Sequence, residues 1–302
     1  MNFIQKPREE NSPYMQLFML IVFAVGGIVA AILLTVLVCL VVYGSHAISN
    51  LTHFLDSAGM LKTEAKILQI FTSLGFFMVP AVFLALYEGK SPGNFYNFKR
   101  PKLIITVLVF LLMAVSMPLM EWSAILNQKM VFPEFLKPVE AWMKQKEKEA
   151  LGMTIALLTM RHIWDLILNL FMIALLPAVA EELMFRGGVQ RTFMRIFGNP
   201  HVAIWLSAAI FSAIHLQFYG FLPRMLLGAG FGYIYLWSHS LWYAMLAHFL
   251  NNAYSVLVVW YMQRHSLPWT EADSVPHFPW YGYVISSLLT IFAFLYFKKQ
   301  AK

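Results

Sequence analysis

Long apolar runs, separated by short polar segments, make up most of this chain. A helix of about 20 residues crosses the roughly 30 Å of hydrocarbon in a bilayer, and several runs reach that length. Eight runs are predicted as membrane spans: Tyr14–Tyr43, Ile67–Leu86, Leu103–Met120, Ile163–Phe197, His201–Gln217, Phe221–Trp237, Leu241–Met262 and Trp280–Phe297. The pattern predicts an all-α fold, a polytopic membrane helix bundle of about eight transmembrane helices.

Composition agrees with this pattern. Of 302 residues, 60% are hydrophobic and 12% are charged, and the mean hydropathy is +0.65, so the apolar surface exceeds what one soluble core could bury. The net charge of +7 comes from basic residues at span ends, which excludes nucleic acid as the expected partner and leaves membrane lipids. By the positive-inside rule, these clusters predict that both termini lie in the cytoplasm. The expected location is the bacterial inner membrane.

The chain is interpreted as a single membrane domain, residues 1–302. Residues 1–122 hold three accessory transmembrane helices, and residues 161–297 form the predicted catalytic core. Between them lies the most polar part of the chain, with charges of alternating sign from Lys144 to Glu149. We expect residues 123–160 to form an extracytoplasmic amphipathic segment on the membrane surface.

Three charged residues interrupt the fourth apolar run. A charge near the middle of a bilayer costs about 2.5–3.5 kcal/mol on insertion scales, so Glu181, Glu182 and Arg186 are candidate functional residues. Glu182 and Arg186 are four residues apart and can pair on one helix face, whereas Glu181 points roughly 100° away. Solvated charges beyond a span end are the alternative. Because the apolar run continues to Phe197, we interpret the acids as lying within the helix, with Glu181 as the free base.

Polar residues in two other spans fall at the same depth. Glu181 precedes the turn at Asn199 by 18 residues and His215 follows it by 16 residues, so at 1.5 Å per residue their depths differ by about 3 Å. His248 and Asn252 are four residues apart in span seven and share a face. We therefore expect a catalytic layer buried between helices four, five and seven.

The residues in this layer suggest hydrolysis of an amide. A carboxylate and an imidazole that share one water can act as general base, while a second imidazole and an amide can hold an oxyanion. No Ser or Cys lies at nucleophile spacing from these groups. Zinc at Glu181, His215 and His248 is an open alternative. Because the helical H-E-x-x-H arrangement of many zinc proteases is absent, we do not assign a cofactor from the sequence.

The chain resembles a known family through three motifs in this order on successive helices: Glu181-Glu182-x-x-x-Arg186, Phe211-x-x-x-His215 and His248-x-x-x-Asn252. They are similar to those of the CPBP (Abi-type) intramembrane proteases, which include CAAX prenyl proteases and bacteriocin-processing enzymes. The resemblance covers roughly residues 163–262.

The resemblance implies roles for the motif residues. Glu181 and His215 would activate water, His248 and Asn252 would form the oxyanion side, and the Glu182 pair with Arg186 would stabilise the site. The expected function is an intramembrane endopeptidase that cleaves near the C-terminus of a peptide or lipid-modified protein. A non-catalytic binding or immunity protein and a proton-coupled transporter are the alternatives.

Overall fold

The computed structural model describes residues 10–44, 62–270 and 277–301. Regular structure within these ranges is helical, with no strand, which confirms the predicted all-α class. The helices of the first half are α1 (Pro13–Tyr43), α2 (Lys62–Thr72), α3 (Val79–Tyr87), α4 (Pro92–Phe95), α5 (Leu103–Gln128) and α6 (Lys137–Leu158). Those of the second half are α7 (Ile163–Asn169), α8 (Leu176–Glu182), α9 (Arg191–Phe197), α10 (Pro200–Ala213), α11 (Phe221–Ser238), α12 (Leu241–Arg264) and α13 (Trp280–Gln300).

Three π-helical turns join some of these helices into longer rods. Ser73–Met78 connects α2 to α3, while Leu170–Leu175 and Leu183–Gln190 connect α7, α8 and α9. Short 3₁₀ turns at Glu134–Leu136 and Phe218–Gly220 precede α6 and α11.

Five helical segments of the described chain are long and apolar enough to cross a membrane. They are Pro13–Val42, Thr63–Tyr87, Leu103–Gln128, Ile163–Phe197 and Trp280–Gln300. Their outer faces expose large apolar side chains, as in a bundle surrounded by lipid. The other three predicted spans are the helices α10, α11 and α12, and α10 is apolar but has only 14 residues. A polytopic helical bundle is thus confirmed, and the count of eight stays a prediction.

A tight turn joins the fourth and fifth predicted spans. Gly198 ends α9 in the left-handed conformation, with φ of 64°, which glycine adopts without a steric penalty. The Asn199 side chain then accepts hydrogen bonds from the backbone N–H groups of His201 and Val202, and Pro200 occupies the first helical position of α10. The resulting hairpin is antiparallel, which is the arrangement that the depth argument assumed.

The polar segment between the two halves packs on one end of the bundle. Helix α5 continues to Gln128, eight residues past the predicted end of the third span at Met120. In α6, Met143 is buried, and the Trp142 ring lies 5.3 Å from that of Phe218. Helix α6 therefore covers the turn Phe218–Gly220 between α10 and α11.

Helix α1 crosses the π turn Ser73–Met78 with the two backbones in contact. A Cβ atom built on Gly27 would lie 1.8 Å from the Gly75 carbonyl oxygen, and one built on Gly75 would lie 2.2 Å from the Gly27 oxygen. Small residues at helix interfaces permit this approach in membrane proteins, where packing contributes much of the association energy. These two glycines therefore fix how the first two spans pack.

The N-terminal tail is attached to the opposite end of the bundle. Glu10 accepts hydrogen bonds from Arg191 at 2.6 and 2.7 Å and from Lys90 at 2.6 Å. Asn11 donates its backbone N–H to Glu88 at 3.0 Å. The tail thus holds the end of the fourth span to the loop that follows the second.

Candidate active site

The helix rod that carries the acid pair is irregular on both sides of it. The π turns Leu170–Leu175 and Leu183–Gln190 bracket the short helix α8, which contains Glu181 and Glu182. Such insertions are rare and occur frequently at functional sites. A π turn holds more residues than an α turn, so Arg186 still lies on nearly the same face as Glu182.

Proline explains one polar contact in the rod. Pro177 has no N–H, so the Ile173 carbonyl four residues earlier lacks its usual helical donor. The Asn252 side chain supplies one, since its Nδ2 donates to the Ile173 oxygen at 3.1 Å. Asn252 Oδ1 in turn accepts from Asn251 Nδ2 at 3.1 Å. Asn252 therefore links α12 to the rod and keeps one amide N–H for another acceptor.

Glu182 is the centre of a buried charge network. Its Oε1 accepts from Arg186 Nη1 at 2.7 Å and from His248 Nδ1 at 2.9 Å. Arg186 Nη2 donates to the Gly228 carbonyl at 2.7 Å. Glu182 and Arg186 are 0% and 1% exposed, so the predicted pair exists and is fully shielded from solvent.

Two aromatic rings enclose this network. The Arg186 guanidinium carbon lies 5.0 Å from the ring centre of Phe211 and 5.4 Å from that of Phe231, within the range of a cation–π interaction. The Phe231 ring also stacks on His248, with centroids 5.2 Å apart and planes at 21°. These contacts fix the His248 ring from its face, while Glu182 fixes it from its edge.

Glu181 differs sharply from its neighbour. Among the described residues, its carboxylate has no hydrogen-bond partner, and His248 Nε2 lies 3.9 Å from Glu181 Oε2. The side chain is nevertheless buried, with 7% of its surface exposed. Glu181 is thus a carboxylate that is buried and available, as a base or ligand requires.

In both site histidines, the Nδ1 atom is held by a hydrogen bond and the Nε2 atom is left free. His215 lies in the turn just after α10 ends at Ala213, and its Nδ1 lies 2.7 Å from the Phe211 carbonyl oxygen. Because a carbonyl only accepts hydrogen bonds, Nδ1 carries the proton and Nε2 is the free acceptor of the neutral ring. His248 is held likewise, since its Nδ1 donates to the Glu182 carboxylate.

The structure brings four of the six predicted site residues to one cavity of about 470 Å³. These four are Glu181, His215, His248 and Asn252. Glu182 and Arg186 do not line it and lie behind its wall, where they contact His248 and the two phenylalanines. Predicted depth therefore located four of the residues that share the cavity.

Sequence reasoning missed several polar residues of the cavity wall. Gln217, Arg224 and Asn251 line the same space. Arg224 lies one turn into the sixth predicted span, so the rule that singled out Glu181, a charge inside an apolar run, could have found it. The other two carry no distinctive sequence signal.

The arrangement of possible metal-binding side chains bears on the zinc alternative. Within residues 10–44, 62–270 and 277–301, no group of three or more His, Cys, Asp or Glu side chains is arranged to hold a metal ion. Glu181, His215 and His248 share the cavity without converging as a ligand set. Zinc at these residues therefore stays a prediction.

Comparison with known proteins agrees with the motifs. Residues 163–254 match the family described as "Type II CAAX prenyl endopeptidase Rce1-like". A segment of 89 residues is 30% identical to the "Uncharacterized protein YpbD" of Bacillus subtilis (strain 168), covering 28% of this chain and 42% of that protein. The chain therefore spans less than half the length of this curated relative. No solved structure gives a significant match. The match through residues 163–254, which hold all three motifs, supports membership of the CPBP family, and together with the five long apolar helices it supports an integral membrane protein.

Proposed function

We propose that the chain is an intramembrane endopeptidase that hydrolyses a peptide bond near the C-terminus of a peptide or lipid-modified protein. The observation that carries the proposal is the buried, unpaired Glu181 carboxylate in a cavity that His215 and His248 also line, with His248 Nε2 at 3.9 Å from Glu181 Oε2. The family match supports the reaction class. Its description names prenylated CAAX proteins, in which the cysteine of a C-terminal Cys-a-a-X sequence carries the lipid.

The first step is the activation of water. Glu181 accepts a proton from a water molecule, and His215 Nε2 accepts a hydrogen bond from its other hydrogen and so orients it. The water oxygen attacks the carbonyl carbon, and the carbonyl π electrons move to the oxygen, which gives a tetrahedral oxyanion. Glu181 then gives its proton to the leaving amine, so that the base becomes the acid when the C–N bond breaks.

The second requirement is stabilisation of the oxyanion. The Asn252 amide keeps one N–H beyond the bond to Ile173 and can donate it. His248 can donate through Nε2 when both its nitrogens are protonated, and the Glu182 carboxylate at Nδ1 stabilises that cation. Arg186 holds Glu182 in place through its hydrogen bond to the same carboxylate oxygen. The buried network therefore supports His248 rather than the water.

The test is peptide cleavage by purified protein in detergent. The substrate is a farnesylated peptide that ends in Cys-Val-Ile-Met, and the products are identified by mass spectrometry. Glu181→Gln and His215→Ala should abolish turnover, whereas Asn252→Ala should lower kcat by about 10²–10³ because one oxyanion donor is lost. Glu134→Gln, at an exposed acid outside the cavity, is the matched control.

The outcomes separate the alternatives. Full turnover in folded Glu181→Gln would refute the mechanism, and an Asn252→Ala variant less active than His215→Ala would reverse the two roles. If the wild-type protein binds the peptide without cleaving it, the non-catalytic binding function is correct. Peptide-independent proton flux in proteoliposomes would favour the transporter. A chelator should leave turnover unchanged if water activation needs no zinc.

We also propose that the protein lies in the bacterial inner membrane with both termini in the cytoplasm. Residues 1–9 and 302 lie outside the described part of the chain, so the proposal depends on the basic residues at span ends. Cys39, the single cysteine, is buried and gives little background. A Lys299→Cys variant should react with a membrane-impermeant maleimide only after the cells are permeabilised. Labelling in intact cells would invert the topology.

A further inference from the structure

We propose that Arg224 binds the free C-terminal carboxylate of the substrate and so selects chain ends. The proposal rests on the proposed peptidase function. Its starting observation is a cation in the cavity wall that the mechanism above does not use. Arg224 is half-buried in the first turn of α11 and lines the cavity together with Glu181 and His215.

Within the described part of the chain, the Arg224 guanidinium forms no salt bridge, and the carboxylates of Glu147 and Glu181 act on it only from a longer distance. Its Nη2 donates to Gln217 Oε1 at 2.5 Å and its Nη1 donates to the Gln217 carbonyl at 3.4 Å, and both acceptors are neutral. Arg186, by contrast, is paired with Glu182 at 2.7 Å. A partly desolvated arginine without a carboxylate in direct contact is costly, and an anionic ligand bound to it would relieve that cost.

The position of Arg224 is fixed by its surroundings. The turn Phe218–Gly220 is held by Asn127, which donates to the Phe218 carbonyl at 2.9 Å and accepts from the Leu222 N–H at 2.6 Å. Gly220 leaves room for the guanidinium, because a Cβ atom there would lie 3.3 Å from Arg224 Nη2. A fork of donors that is already held in place is suited to bind a carboxylate with two parallel hydrogen bonds.

The distance from Arg224 to the reacting groups suits a short peptide end. Arg224, Leu227 and Phe231 line the cavity from one face of α11, and Phe231 stacks on His248. Seven residues of α-helix separate Arg224 from Phe231, a rise of about 10 Å. An extended peptide covers that length in about three residues. A terminal carboxylate at Arg224 therefore leaves a peptide bond beside His248.

The experiment compares two peptides that differ only in charge at the chain end. Both are farnesylated and end in Cys-Val-Ile-Met, one with a free carboxylate and the other with a carboxamide. The wild-type protein should cleave the free acid with a kcat/KM about 10- to 100-fold higher, as expected for a charge-assisted pair, and mainly through KM. Arg224→Gln should lose this factor on the acid and leave the amide unchanged. Arg161→Gln, at an exposed arginine outside the cavity, should behave as wild type.

Each other outcome is decisive. Equal cleavage of acid and amide by the wild-type protein overturns the role of Arg224 and leaves the peptidase function intact. If Arg224→Gln lowers kcat/KM equally for both peptides, Arg224 acts on the reacting groups or on folding, and the proposed carboxylate binding is overturned as well. If neither peptide is cleaved, the proposed function fails. Fluorescence anisotropy of dansylated versions on Glu181→Gln protein then tests Arg224 alone, and the absence of any preference for the acid overturns the proposal.

Discussion

Replacing Arg186 by methionine should destabilise the protein strongly, because it leaves the Glu182 carboxylate buried without its counter-ion. Methionine keeps the apolar stem that packs between Phe211 and Phe231 but removes the guanidinium. Glu182 would then retain a single hydrogen-bond donor, His248. The fold would have to protonate Glu182, admit water or separate the helices.

The magnitude follows from the burial of both partners. Glu182 and Arg186 are 0% and 1% exposed, so solvent does not screen the change. Removal of one partner from a buried ion pair costs about 3–5 kcal/mol. Two lost cation–π contacts lie within that estimate, at about 0.5–2 kcal/mol each. With about 2–4 °C per kcal/mol for large domains, Tm should fall on the order of 10 °C.

Tryptophan fluorescence during heating in detergent measures this effect, since the chain has 9 tryptophans. The double variant Arg186→Met with Glu182→Leu should recover most of the lost Tm, because no charge is left buried. It should remain inactive, since His248 has lost the carboxylate at Nδ1. A single Arg186→Met variant as stable as wild type would refute the buried-pair reasoning. So would a double variant that is less stable than the single.

Two further predictions concern packing and pH. Gly75→Ala should lower the free energy of unfolding by about 1–3 kcal/mol, because the added methyl group meets the Gly27 backbone. Gly26→Ala is the control and should be neutral in the same thermal assay, since no atom lies within 4 Å of its added Cβ. Burial opposes the ionisation of Glu10, but hydrogen bonds from Arg191 and a lysine outweigh it and lower the pKa of Glu10 from 4.5 to about 2. The stabilisation of the fold by ionised Glu10 is therefore complete above about pH 4.5 and is lost as the pH falls toward 2. The Tm difference between wild type and Glu10→Gln should shrink across that range. A Tm difference that stays constant would contradict the prediction.

Spacing and hydropathy were sufficient to predict which side chains meet. Glu181 and His215 were placed at one depth by counting helical residues from the turn at Asn199, and that turn has the predicted antiparallel geometry because Gly198 and Asn199 terminate and cap the two helices. His248 and Asn252, four residues apart in the seventh predicted span, line the same cavity. The count succeeded because the bilayer forces helices into nearly parallel rods, so residue number measures depth.

Spacing and hydropathy could not predict which side chains form hydrogen bonds with each other around the cavity. Spacing along one helix predicted the pair of Glu182 with Arg186 but could not show that His248, from another helix, contacts the same carboxylate oxygen. That contact depends on the rotation of α12 about its axis. Rotation is set by side-chain packing, such as the stack of Phe231 on His248, and hydropathy carries no information about it.

The least regular part of the bundle is also where polar groups meet, and proline provides a physical reason. A backbone carbonyl without a donor is costly in an apolar environment, so the break at Pro177 requires a polar side chain from elsewhere. Asn252 supplies it through its bond to Ile173, and this contact also brings α12 against the rod at the level of Glu181. Asn252 therefore both satisfies the free carbonyl of the rod and positions α12 at the cavity. Asn252→Ala should consequently lower Tm as well as kcat, and a variant with wild-type Tm would separate the two roles.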